Sequence, residues 1–378
     1  MQKTVSAPRV VIKAILLFVI FNLLFAWLNP PVGKLTLYNI LWPGRLRFPH
    51  EESPEYYSQG YNASVIEDFD AMFGAHILSA APKPADEFRV FLLGDSSTWG
   101  GHVSAQNALS EQLNRLDLTA CDGRKVRVYN LGFPWPSTLR DILILDRAKQ
   151  YNPDLVIWLV TLHSFEKKVE DREFLVPHAE RMFEVMQEYH LNLPGAYDDV
   201  SAPTFWDKTI IGQRKRLKDI LLVQTFGPLW AATGIDNHDG ILTSHPVFPQ
   251  DMTADRSYLE YKSPFEMPIL VKSLKYDTIR VGHEIANPAP VIVINEPIFI
   301  AAGRNSDIRY NSLYPRWAYD AYRQSLTDWM TAHNYVFFDY WDALPSTEFA
   351  NEIFHRDPVG EQQFAELLAP QLAGFTCP

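Results

Sequence analysis

Apolar and polar residues fall into three kinds of stretch in this chain: short apolar runs closed by a turn, longer runs with helical spacing, and one long uninterrupted apolar run. Phe88-Arg89-Val90-Phe91-Leu92-Leu93-Gly94 is short, rich in β-formers and bounded by glycine, so it predicts a buried strand over 88–94. Helical spacing follows over about 104–116. Lys125 to Gly132 predicts a second strand, and residues 137–150 a helix in which Leu139, Ile142, Leu143, Ile144 and Leu145 crowd one side. Pro153 to Val160 holds a third strand, apolar enough to be buried on both faces. Two more strands are expected at 290–297 and 335–339, with helices over about 315–332 and 358–372. Strands alternating with helices in this way form the parallel βαβ pattern.

The long run is Val10 to Leu28, broken only by Lys13 and Asn22. As a helix it covers roughly 28 Å, about one hydrocarbon core. Lys3 and Arg9 come before it and Lys13 stands in its first turn, which orients the N-terminus to the cytoplasm and the body outside. A cleavable signal peptide has the same basic start and apolar middle. Trp27-Leu28-Asn29-Pro30-Pro31 offers no small-x-small cleavage site, so a retained anchor is expected over residues 1–30. Residues 31–85, with Pro43, Pro49 and Tyr56-Tyr57, predict a juxtamembrane arm ending at Pro82-Lys83-Pro84. Asn62-Ala63-Ser64 fits a glycosylation acceptor, relevant only in a eukaryotic secretory path.

From about 165 to 287 the rhythm breaks. Charged helical text over 166–188 and 208–222 mixes with aromatic loops around Phe205-Trp206, Trp230 and Tyr258 to Tyr261. This predicts a mostly helical insertion capping the carboxyl edge of the sheet. Trp206 and Trp230 read first as core residues and second as surfaces on which sugar rings stack.

Composition narrows the partners. With 47% hydrophobic and 13% aromatic residues the chain is a folded protein, and a net charge of −11 opposes a nucleic-acid partner. Cys121 and Cys377 are the only cysteines; in an exported body they are expected to pair, with two buried thiols as the alternative. No His-Glu-x-x-His or Cys-x-x-Cys spacing predicts a metal, and Gly94 to Gly100 lacks the Gly-Lys-Ser/Thr ending of a phosphate loop. No cofactor is expected.

Gly94-Asp95-Ser96 stands where a strand gives way to a helix, at the sheet edge where open α/β folds bind ligands. The plain use of Asp-Ser at such a place is a helix cap. Far downstream, Phe349-x-x-Glu352-x-x-His355 precedes Pro358-x-Gly360 and an amphipathic helix. Together with the glycine after the second strand, these motifs resemble the GDSL/SGNH hydrolase family over most of 88–164 and 289–374.

That resemblance implies a flavodoxin-like three-layer α/β/α fold over 86–378, with a five-stranded parallel sheet in the order 2-1-3-4-5. It implies Ser96 as nucleophile, His355 as general base and Glu352 as the acid, where the family usually has Asp. Asp357 and Asp342 are alternatives for the acid. The implied oxyanion donors are the backbone N–H groups of Ser96 and Gly132 and an Asn side chain after strand three. This chain has Thr161-Leu162-His163-Ser164 at that point, so His163 is the candidate donor and a packed histidine the plain reading. Losing one such donor typically costs ~10²–10³ in rate. Asn295-Glu296-Pro297 ends the fourth strand on the same edge, to line the pocket or to cap a turn. The implied activity is ester hydrolysis or O-acyl (often acetyl) transfer through an acyl-Ser96 intermediate. The implied substrate is an acylated carbohydrate or glycolipid outside the cytoplasm. The missing Asn and the Glu-for-Asp change favour the alternative, a non-catalytic glycan-binding or envelope-assembly protein.

Overall fold

Five parallel strands carry the fold: β1 (Glu87–Leu93), β2 (Lys125–Asn130), β3 (Leu155–Val160), β4 (Val291–Asn295) and β5 (Val336–Asp339). They lie in the spatial order β2-β1-β3-β4-β5, as expected. This computed structural model describes residues 6–34, 41, 68–166, 174–193, 197, 200–233, 245–246, 248–252 and 266–376. β1 pairs with β2 on one side, Val90 opposite Val128, and with β3 on the other, Phe91 opposite Val156. The chain therefore reverses its direction of travel across the sheet at β1 and β3. The crevice at their carboxyl ends is the switch point where ligands bind in open α/β folds.

The helices are α1 (Ala7–Leu28), α2 (Phe69–Ala75), α3 (Ser96–Trp99), α4 (Leu109–Arg115), α5 (Thr138–Ala148), α6 (Ala179–Glu188), α7 (Arg214–Thr233), α8 (Met267–Ser273), α9 (Asp277–Ala286), α10 (Arg316–Ala332) and α11 (Pro358–Phe375). Alternation along β1 divides its side chains between two cores. Phe91 and Leu93 join Val156, Trp158 and Val293 beneath α5, α9 and α10. Val90 and Leu92 join Ile157, Leu159 and Ile292 beneath α4 and α11. β1, β3 and β4 are buried throughout because helices cover both faces, which is why their sequences run apolar without alternation. The result is the three-layer α/β/α fold.

The region expected as an insertion is placed as follows. α9, which falls inside the span 165–287 expected for the insertion, packs as the crossover helix into β4. Gly282 lies so close to Trp158 that an added Cβ would sit 2.4 Å from the indole ring, and the Thr278 hydroxyl donates to Thr138 Oγ1 at 2.8 Å. Its charges satisfy one another on the outer face, Arg280 with Asp277 and Glu284, each at 2.7 Å. Within the same span, α6 packs on the outside of α5, where Arg181 grips Asp146 at 2.7 and 2.8 Å and Met182 and Val185 are buried. This helix thickens one layer. Trp206, expected in the core, is 69% exposed; the Trp230 side chain and residues 258–261 lie outside the described residues.

The expected arm also divides. Residues 35–40 and 42–67, with Asn62 among them, lie outside the described residues. α2, by contrast, belongs to the body: Ala71, Met72 and Phe73 are buried in the main core. Asp68 caps α2 through the Ala71 N–H and pairs with Arg216 of α7. Upstream, α1 has 22 residues, about 33 Å of helix, and is exposed along nearly all of its apolar surface. Its polar interruption is accounted for: Asn22 donates to the Phe18 carbonyl at 2.9 Å and accepts from the Ile211 N–H at 3.2 Å. Cys121 is disulfide-bonded, and Cys377, the sequence's other cysteine, lies outside the described residues.

Candidate active site

β1 runs into α3 through Gly94 and Asp95. Gly94 has φ +152°, and an added Cβ would lie 2.2 Å from Thr98 Oγ1, so no other residue fits this turn. Asp95 is the N-cap of α3, its carboxylate accepting from the Ser97 N–H at 2.9 Å. The capping role expected of Asp-Ser thus falls to the aspartate. The Ser96 hydroxyl meets His355 Nε2 at 2.7 Å, across 259 residues of sequence.

His355 is delivered by a loop closed on itself. Phe349 bridges Arg356, and the Ala350 N–H donates to the His355 carbonyl at 2.8 Å. Asn351 fills this loop: its Oδ1 accepts from the N–H groups of Ile353 and His355, both at 3.1 Å, and its Nδ2 contacts His355 Nδ1. Phe354 and His102 flank the imidazole, with ring centroids 4.9 and 4.8 Å away. Burial, reinforced by His102 and Arg356, lowers the His355 pKa to about 3, so the ring is neutral at ordinary pH.

Glu352, the expected acid, is placed elsewhere. Its carboxylate accepts from Gln250 Nε2 at 2.9 Å. The group at His355 Nδ1 is Asn351, one position earlier, because the closed loop turns the fourth residue before the histidine toward the ring. The alternatives are placed elsewhere too: Asp357 caps α11 through the Gly360 N–H at 2.7 Å, and Asp342 is exposed.

Beneath the Ser–His pair lies a buried ionic cluster. Arg356 is fully buried and bonds Glu296 at 2.8 Å and Glu361 at 3.1 Å. The Ser97 hydroxyl donates to the Glu296 carboxylate. Ser97 and Arg356, which follow Ser96 and His355, are therefore both tied to Glu296. Burial raises the pKa of Glu296, with Asp95 adding to the shift and Arg356 opposing it. Asn295, its neighbour, is structural: it accepts from the Tyr319 and Tyr322 hydroxyls and donates to Asp339.

Of the expected oxyanion donors, Gly132 lies against α3. An added Cβ there would be 2.4 Å from the Trp99 nitrogen. Its N–H donates to Asn130 Oδ1 at 2.9 Å, while Asn130 Nδ2 donates to the Thr98 carbonyl at 2.8 Å. An oxyanion at Gly132 must compete with Asn130 for that N–H. His163 is buried in the turn after β3, its ring edge-on to Tyr314 at 5.2 Å and its Nε2 3.8 Å from Glu166. That is the environment of a packed histidine.

The structure thus joins Ser96 to His355 and sets Gly132 against α3. Asn351, Arg356 and Glu361 were missed from sequence. Their signals were faint: a polar residue four before the histidine, an arginine just after it, and a glutamate on the buried side of an amphipathic helix. A separate cleft of about 600 Å³, lined by Asp68, Asp70, Asp146, Arg147, Arg181 and Arg216 among others, contains none of these site residues.

No protein-family profile matches the sequence, and no curated protein does. Solved structures do resemble it. A member of the lipolytic G-D-S-L family from Veillonella parvula is 12% identical over 75% of this chain and 96% of its own, with a TM-score of 0.35. The lipase/acylhydrolase from Enterococcus faecalis is 15% identical over 76% of this chain and 95% of its own, TM-score 0.33. A carbohydrate acetylesterase family member from Sinorhizobium meliloti is 12% identical over 76% and 98%, TM-score 0.33.

Proposed function

We propose that this chain performs acyl-ester chemistry at Ser96, on an acylated carbohydrate or glycolipid outside the cytoplasm. The observation that carries the reading is the 2.7 Å contact between Ser96 Oγ and His355 Nε2 at the switch point of the sheet. A serine hydroxyl becomes a competent nucleophile when a neighbouring base takes its proton during attack. In the first half-reaction Ser96 Oγ bonds to the acyl carbon, its proton passes to His355 when Nε2 presents its lone pair, and the departing sugar oxygen takes that proton as its ester bond breaks. In the second, water or a sugar hydroxyl attacks acyl-Ser96, losing its proton through His355, and Ser96 is restored. Water makes the protein a hydrolase and a sugar acceptor makes it a transferase. Trp135, 53% exposed on the loop leading from Gly132 into α5, supplies a face on which a sugar ring can stack. The apolar, outward-facing surface of α1 supports its retention in a membrane, and Arg9 and Lys13 support a cytoplasmic N-terminus.

One observation favours the second reading, a glycan-binding or envelope-assembly protein without turnover: the side chain at His355 Nδ1 is the amide of Asn351, not a carboxylate. Treating the purified full chain with a fluorophosphonate and locating the adduct by peptide mass spectrometry separates the two. Modification at Ser96 that is abolished by Ser96→Ala and His355→Ala is the expected result. No adduct on folded protein, even after prolonged exposure, would favour the binding reading.

A further inference from the structure

We propose that Asn351 is a positioning residue that holds His355 as its Nε2–H tautomer, so that the resting site presents a donor, not a base, to Ser96. The inference rests on the reading of Ser96 and His355 as the reacting pair. It starts from which end of the amide faces the ring. One Asn351 atom lies 3.1 Å from two backbone N–H groups, those of Ile353 and His355, and only an oxygen can accept from both. The other atom, at His355 Nδ1, is therefore the NH2 group, which only donates. Nδ1 must then carry a lone pair. A neutral imidazole has one N–H, and it is left on Nε2, 2.7 Å from Ser96 Oγ. The serine accepts that bond, and no lone pair on the ring points at its proton.

Turning the amide over would bring Oδ1 to Nδ1 and allow the productive tautomer. The same rotation would set NH2 against the N–H groups of Ile353 and His355, exchanging two hydrogen bonds for two donor–donor contacts. The groups facing the ring do not compensate. His102 from the loop after α3 and Arg356 from the base's own loop both disfavour charge on His355, and Glu352 is held by Gln250. In Ser-His-Asp triads, an amide in place of the acid imposes this same tautomer and lowers kcat about 10⁴-fold.

The test is Asn351→Asp in the full chain. One carboxylate oxygen keeps the two backbone N–H groups and the other accepts from Nδ1–H, leaving the Nε2 lone pair for Ser96. The rate of fluorophosphonate modification at Ser96 should rise by about 10²-fold or more, and His355→Ala added to Asn351→Asp should abolish the gain. Imidazole ¹⁵N shifts should place the proton on Nε2 in the natural chain and on Nδ1 in the variant. The pH profile should change as well: no inflection near 6.5 for the natural chain, and an acid limb moved up toward neutrality in the variant, where a carboxylate favours the charged ring. A variant that reacts no faster, or an unchanged tautomer, overturns the proposal while Ser96 modification of the natural chain leaves the Ser–His reading standing. If neither protein reacts although both are folded by circular dichroism, the Ser–His reading falls and this inference with it.

Discussion

The guanidinium of Arg356 has no solvent exposure and bridges Glu296 and Glu361, one residue from His355. A buried charge network of this kind adds little net stability as a whole, since desolvation offsets most of the attraction. Removing one member is another matter, because it strands the others. Arg356→Leu is expected to lower unfolding stability by about 3–5 kcal/mol in chemical denaturation of the purified chain. A loss below about 1 kcal/mol would mean that Glu296 and Glu361 simply take up protons, as the upward pKa shift of both carboxyls by burial allows. The positions of Ser96 and His355 were legible in the sequence because each sits in a local pattern, a glycine-bounded turn and a loop before a Pro-x-Gly helix start. Arg356 and Asn351 were not, because nothing local distinguishes a surface arginine or a loop asparagine from one with buried partners.

At the level of elements, the site depends on how tightly α3 lies against the end of β2. Asn130 stitches the two together through Gly132 and the Thr98 carbonyl, and the gap admits no Cβ. Gly132→Ala is therefore expected to displace α3, lengthen the Ser96–His355 contact and slow fluorophosphonate modification at least about tenfold, at an overpacking cost of about 1–3 kcal/mol. An unchanged rate would show that α3 shifts as a unit with His355. Strand positions came through cleanly because a buried parallel strand has an apolar run that few other structures share. α9 did not, since its charged outer face resembles an independent surface helix until Trp158 is seen beneath Gly282.

For the whole molecule, α1 is joined to the body by the Asn22–Ile211 bond near its C-terminal end, and the segment after it packs at Asp68, where an added Cβ on Gly33 would collide with the carboxylate. If α1 is a retained anchor, the mature protein should carry an intact N-terminal segment by mass spectrometry and stay with membranes through alkaline carbonate washing. A mature chain beginning near residue 29 would instead identify α1 as a cleaved signal.

Residue order alone determined where the strands, most of the helices and the long apolar run lie, while the strand order and the pairing of Ser96 with His355 were what the family resemblance implied. The elements follow from hydrophobic period and turn chemistry, which act over short stretches. Tertiary structure alone decided that Asn351 and not Glu352 meets the imidazole, that Arg356 is buried between two carboxyls, and that Asn130 engages the Gly132 N–H. Each is a choice among partners made at distances near 3 Å. A one-residue difference in how a loop closes reverses such a choice, and hydrophobic pattern does not register it.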